Sequence, residues 1–211
     1  MVNILCFGDS NTFGSIPGGR GRWPLHERWT SVLQDILGEN YRIIEEGCGG
    51  RTTVWEDNLE LDKNGRTALR ISLLSHRPLD LVIIMLGTND LKSRFSLQPE
   101  DIAAGAAELG HLVDRFDYGA VHPIPKVLLV SPIHAGEHVE TFSGFTHNAY
   151  DVSLQLAPLY ERHAQDNGWL FLDAAKHAEP SPRDQLHMEK ESHHSLAKAL
   201  AEVILQAFPQ A

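Results

Sequence analysis

The sequence has little cysteine and no excess of positive charge. It has only two cysteines in 211 residues, Cys6 and Cys48. Two thiols this far apart exclude a disulfide framework and suit a reducing compartment. Lys and Arg number 18 against 28 Asp and Glu, a formal charge of −10. That balance argues against a nucleic-acid partner, which needs a basic face. No apolar run approaches the roughly 20 residues of a membrane span. The start, Met1-Val2-Asn3, has neither the basic segment nor the cleavage site of a secretory leader. A cytoplasmic protein without a membrane partner is the expectation. Linkers, repeats and low-complexity tracts are also missing, so residues 1–211 are expected to form one domain.

Strand-like and helix-like stretches alternate along the whole chain. Strands are predicted at Val2–Phe7, Tyr41–Glu45, Leu79–Leu86, Lys126–Ser131 and Trp169–Asp173. The run "LDLVIIMLG" is nearly continuous in apolar residues, as in a strand covered on both faces. Trp29, Val32, Leu33, Ile36 and Leu37 recur at helical spacing before Gly38, which stops the run. Further helices are predicted over Arg66–His76, Pro99–Phe116, Tyr150–Gln165 (kinked at Pro158) and Glu189–Phe208. Alternation of this kind implies an α/β fold with three layers, α/β/α, around a mainly parallel five-stranded sheet. In such sheets function gathers beyond the carboxyl ends of the strands.

The first of those ends reads "VNILCFGDSNTFG". A buried-looking strand passes into five small or polar residues with Ser10 among them. Three readings compete: a turn or helix cap, a phosphate cradle for a nucleotide or flavin, and the mounting of a nucleophile. The cradle lacks both a Gly-Lys-Ser/Thr sequence and a spaced Gly-x-Gly-x-x-Gly. The other strand ends carry "EEGCGGRTT" with Gly47, Gly49 and Gly50, "GTND" with Asn89, and "DQLH" with Asp184 and His187. A serine hydroxyl needs a histidine to take its proton. The histidine works better with a carboxylate behind it, and the oxyanion needs donors already in place. Asp184 and His187 with His193 are also conceivable metal ligands, but their spacing matches no metal motif; no metal or cofactor is expected. Arg51 is expected to anchor its loop through Glu45 or Glu46, and Cys6 to be a core residue.

"FGDSNT", the glycine-rich segment with Gly50, "GTND" and "DQLH" resemble, in order, the four blocks of the GDSL/SGNH hydrolase family. The first block has Asn11 where the family usually has leucine. The resemblance spans about residues 2 to 208. It implies a flavodoxin-like SGNH hydrolase fold with Ser10 as nucleophile, His187 as general base and Asp184 as its orienting acid. The backbone N–H groups of Ser10 and Gly50 and the Asn89 side chain would form the oxyanion hole. "ILCFGDS", "IIEEGCGGRTT" and "DLVIIMLGTND" look like the bacterial arylesterase and acyltransferase branch. That likeness implies a serine esterase acting on short, acetyl-type esters, with acyl transfer to alcohols and assembly into homo-oligomers up to octamers. The alternatives are a carbohydrate acetylesterase acting on xylan or oligosaccharides and, more remotely, a nucleotide- or flavin-binding module. The long connection 132–148 and the loop after Ser10 suggest Trp23, Ile133, Phe142 and Phe145 as substrate contacts, with ordinary packing as the competing role.

Overall fold

The computed structural model describes residues 1–19, 21–120, 122–142 and 144–209. Five parallel strands lie in the order β2-β1-β3-β4-β5. They are β1 (Val2–Gly8), β2 (Tyr41–Gly47), β3 (Leu81–Met85), β4 (Lys126–Ser131) and β5 (Leu170–Asp173). Helices α1 (Ser10–Phe13), α2 (Trp29–Leu37), α3 (Gly65–His76), α4 (Pro99–Arg115), α5 (Asn148–Ser153), α6 (Leu156–Asn167) and α7 (Lys190–Ala207) complete the chain. The two-residue period of the strands divides the core. Leu5, Phe7, Val82, Ile84 and Leu129 pack under α3, α4 and α6, whereas Ile4, Cys6, Leu81, Ile83 and Leu128 pack under α2 and α7. The result is the expected three-layer α/β/α arrangement, with Cys6 wholly buried.

Three elements differ from the sequence expectation by more than one residue at an end. The apolar run around β3 is longer than the paired strand. Leu79 and Leu86 are buried at its ends, but the Leu86 carbonyl leaves the ladder to accept from Tyr160 Oη (2.8 Å). Strand β2 continues to Gly47 because Gly47 pairs with Gly8. The helix predicted over Tyr150–Gln165 is two helices, broken at Leu154–Gln155. Pro158 lies in the first turn of α6, where its missing N–H costs nothing, so the break precedes the proline.

The sheet ends are shaped to receive α1 directly. A side chain at Gly8 would overlap Thr12, and one at Gly47 would overlap the backbone of Thr12 and Phe13. These two paired glycines let the first turn after β1 fold down onto the strand ends. Asp9 caps that turn, its Oδ1 accepting from Asn11 N–H (2.9 Å). Burial pushes the Asp9 carboxyl above its ordinary pKa.

Candidate active site

Ser10 opens α1 and is mostly buried. His187 Nε2 lies 3.0 Å from Ser10 Oγ, across 177 residues of sequence. The other ring nitrogen, Nδ1, lies 2.8 Å from Asp184 Oδ2. Asp184 Oδ1 accepts from the backbone N–H groups of Leu186 (3.1 Å) and His187 (2.9 Å). Its Oδ2 also accepts from Gly18 N–H (2.8 Å). Burial alone would raise this carboxyl. The hydrogen bonds from His187 and Gly18 outweigh it and hold Asp184 at about 2, so the carboxylate is ionised at neutral pH.

Asn11, at the position where the family usually has leucine, ties the two ends of the chain together. Its Nδ2 donates to the Leu186 carbonyl (3.2 Å) and its Oδ1 accepts from Met188 N–H (3.0 Å). The backbone on both sides of His187 is therefore fixed by the residue next to Ser10.

The glycine-rich segment returns to the same spot. Gly50 has a φ of +82°, a conformation that favours glycine. Among the described residues the backbone N–H groups of Ser10 and Gly50 find no backbone acceptor. Asn89 Nδ2 donates to the Arg51 carbonyl (3.1 Å), which leaves its second amide hydrogen for another acceptor. Arg51 anchors this loop, but through carbonyls rather than carboxylates. Its Nη1 donates to the Gly8 carbonyl (2.9 Å) and to the Glu46 carbonyl, and its guanidinium lies 4.1 Å over the Phe7 ring. Behind Asn89, the buried Asp90 accepts from Thr53 N–H (3.1 Å). Burial outweighs those bonds and pushes Asp90 up to about 6.

The four expected substrate contacts divide. Phe142 presents an edge to the His187 ring at 5.7 Å, with Phe145 behind it at 6.0 Å. Trp23 is half-buried, and its Nε1–H donates to the Met188 carbonyl (3.2 Å), beside His187. Phe145 and Ile133, in contrast, are packed in the two cores. The crevice Ile133 shares with Asp9, Asn11 and Met188 is too tight for a water molecule. Their placement as open pocket walls is therefore corrected: connection 132–148 folds inward at both residues. His193 is wholly buried and its Nδ1 accepts from Trp29 N–H (3.3 Å), so it is turned away from Asp184. A groove of about 470 Å³, lined by Asp90, Lys92, Gln98 and Asn148 together with the apolar Leu91, Leu97 and Val152, does not include Ser10, Gly50, Asn89 or His187 in its walls.

Sequence reasoning did not find Gly18, Arg22 or Arg28, and it offered Glu45 to Arg51 instead. Glu45 accepts from Arg28 Nη1 (3.0 Å), Arg22 Nη2 and Thr30 Oγ1. The only advance signal was two arginines in one loop and a glutamate at a strand end, opposite charges that form no local motif.

Comparison with known proteins gives a consistent relationship. The model of the GDSL-like Lipase/Acylhydrolase family matches residues 6–194. A carbohydrate acetylesterase from Sinorhizobium meliloti is 37% identical, with a TM-score of 0.91 over 99% of this chain and 100% of that one. The native aryl esterase of M. smegmatis is 36% identical, with a TM-score of 0.90 over 98% and 99% of the two chains. A carbohydrate acetylesterase family member from Sinorhizobium meliloti is 33% identical, with a TM-score of 0.92 over 99% and 100%. A search of curated proteins finds no match.

Proposed function

The chain belongs to the GDSL-like lipase/acylhydrolase family, and on that premise we propose that it is a carboxylic ester hydrolase using Ser10, His187 and Asp184 on short-chain acyl esters. The observation that carries this is the unbroken line Ser10 Oγ–His187 Nε2–His187 Nδ1–Asp184 Oδ2, with contacts of 3.0 and 2.8 Å. His187 takes the Ser10 proton as the hydroxyl attacks the ester carbonyl. Asp184, ionised and held by backbone donors, keeps Nδ1 protonated and Nε2 free to accept. The N–H groups of Ser10 and Gly50 and the second hydrogen of Asn89 Nδ2 steady the tetrahedral oxyanion. His187 then protonates the leaving alcohol, and water or a second alcohol releases the acyl group from Ser10.

The likeness to two carbohydrate acetylesterases supports a short acyl group. Phe142 and Trp23 frame the His187 side, where the alcohol portion departs. Ser10→Ala and His187→Ala should each lower turnover of aryl acetates by roughly 10⁴-fold or more. Wild-type turnover in Ser10→Ala would overturn the proposal.

A second reading, deacetylation of carbohydrate, is favoured by the likeness to two carbohydrate acetylesterases. Comparing kcat/KM on aryl acetates and acetylated xylo-oligosaccharides separates the two. We also infer assembly into a homo-oligomer. Leu59 and Leu61, in the loop after Gly50, and Ile71 and Leu74 of α3 are all more than half exposed, which supports an apolar contact between copies. A monomeric mass in solution would refute it. Among the described residues no helix is long and apolar enough to cross a membrane.

A further inference from the structure

The loop between α1 and α2 reaches the Asp184–His187 pair at two points. Gly18 N–H donates to Asp184 Oδ2 (2.8 Å) and Trp23 Nε1–H to the Met188 carbonyl (3.2 Å). Beside Gly18, Pro17 is buried, but the glycines themselves face open space. A Cβ placed on Gly18, Gly19 or Gly21 would touch nothing within 4 Å. The loop is also anchored at its base, between Gly14 and Arg28.

The anchor is polar and converges on Glu45, near the end of β2. Ser15 and Arg22 form an antiparallel bridge, Ile16 N–H donates to the Gly21 carbonyl (2.8 Å) and Trp23 N–H to the Gly14 carbonyl (2.7 Å). Arg22 Nε donates to the Phe13 carbonyl (2.7 Å), and its guanidinium lies 4.0 Å over the Phe13 ring. Arg28 Nε donates to the Trp23 carbonyl (2.9 Å), and its stem covers Gly14. Both guanidiniums then meet the Glu45 carboxylate, whose second oxygen accepts from Thr30 Oγ1. The Glu45 and Arg28 side chains are only 19% and 12% exposed, so this pairing is shielded from the screening that weakens surface ion pairs.

We propose that Glu45 is a positioning residue for the esterase reaction. By clamping Arg22 and Arg28 it sets the loop so that Gly18 and Trp23 fix the Asp184–His187 pair against Ser10. The proposal rests on the serine esterase reading above. Glu45 touches neither substrate nor the reacting atoms and acts through the two arginines and the loop backbone. Removing it leaves two guanidiniums without their shared acceptor, loosens the base of the loop and weakens the hold of Gly18 on Asp184. Losing the Gly18 donor then raises the proton affinity of the Asp184–His187 pair. Asp9 and His193 are the other titratable groups within electrostatic reach of His187; their hydrogen bonds go to Asn11 and Trp29, outside this loop.

The test is kcat, KM and the pH profile of kcat/KM on an aryl acetate for wild type, Glu45→Ala, Glu45→Gln and Arg22→Ala, with thermal melts in parallel. Glu45→Ala should lose about tenfold in kcat, as small misplacements of catalytic groups do, with KM within about twofold. Its acid limb should move to higher pH. Glu45→Gln should fall between it and wild type, and Arg22→Ala should shift the same way by less, since Arg28 remains. A merely structural role would lower the melting temperature and leave the acid limb in place, which overturns the proposal. Wild-type kcat and acid limb in folded Glu45→Ala do the same. If Glu45→Ala does not fold, Arg22→Ala decides on the same criteria. An active Ser10→Ala would overturn the esterase reading and this proposal together; an inactive Ser10→Ala with unaltered Glu45 and Arg22 variants would overturn the positioning role alone.

Discussion

Asn89 is the residue at which structure and chemistry can be separated most cleanly. One amide hydrogen is committed to the Arg51 carbonyl, and the other is the proposed oxyanion donor. Asn89→Ala should therefore lower kcat by about 10²–10³, the usual cost of one such donor, with a smaller effect on KM; steady-state kinetics on an aryl acetate measures it. A fall in KM affinity alone would remove Asn89 from the oxyanion role. Asp184 adds a point about pH. Its folded pKa, about 2, lies below the roughly 3.9 of an unfolded aspartate. Its stabilisation is therefore complete above about pH 4 and is lost as pH falls through about 2. At this scale much was legible: Ser10, Asn89, Asp184 and His187 stand just beyond strand ends, and a parallel sheet gathers those ends. Gly18 and Glu45 were not legible, because a backbone N–H and a strand-end carboxylate carry no local signature. Ile133 and Phe145 are open or buried according to how connection 132–148 folds, which composition does not state.

Among the elements, the turn from β1 into α1 makes the site possible. Gly47 has no electrostatic part in it. It is needed because any side chain there would overlap the backbone of Thr12 and Phe13, and backbone cannot move aside cheaply. Gly49, two residues on, has only Ser10 Cβ near its open side, at 4.0 Å. Gly47→Ala should cost about 1–3 kcal/mol or more, the range for overpacking, and should displace α1 enough to lower kcat. Gly49→Ala should leave stability within about 1 kcal/mol. Chemical denaturation of the two variants checks the contrast. Three glycines in four residues announce a special turn, but which one is sterically required depends on α1, at Ser10–Phe13 far earlier in the chain. The division of α5 from α6 was hidden for a related reason. Pro158 signals a disturbance, yet a proline is tolerated in a first turn, so the break falls before it.

For the whole molecule, the strand–helix alternation was enough to anticipate the layers and the parallel sheet, because local apolar patterns repeat without interruption. Stability against acid was not, since it depends on burial. His193 is wholly enclosed, and its Nε2 has no partner among the described residues. Burial, with smaller contributions from His194, His187 and Arg28, lowers its pKa to about 3. An unfolded histidine takes up its proton near pH 6.5. Between about 6.5 and 3 the unfolded chain binds a proton that the folded one refuses, so this contribution falls with pH by up to about 1.4 kcal/mol per unit. Asp90, held at about 6, slopes the opposite way between its ordinary pKa and 6. The comparison that isolates His193 is therefore the difference in unfolding free energy between wild type and His193→Asn, which keeps an acceptor for Trp29 N–H. That difference should shift in favour of the variant as pH falls from 6.5 to 4; a constant difference would show that His193 protonates freely in the folded protein.

The central claim is that Ser10 is an activated nucleophile. Intact mass after exposure to a fluorophosphonate ester tests it most directly, on wild type and Ser10→Ala side by side. The account predicts one stoichiometric adduct on wild type and none on the variant. A folded wild type that takes up no adduct, or a variant that takes it up equally, would contradict it.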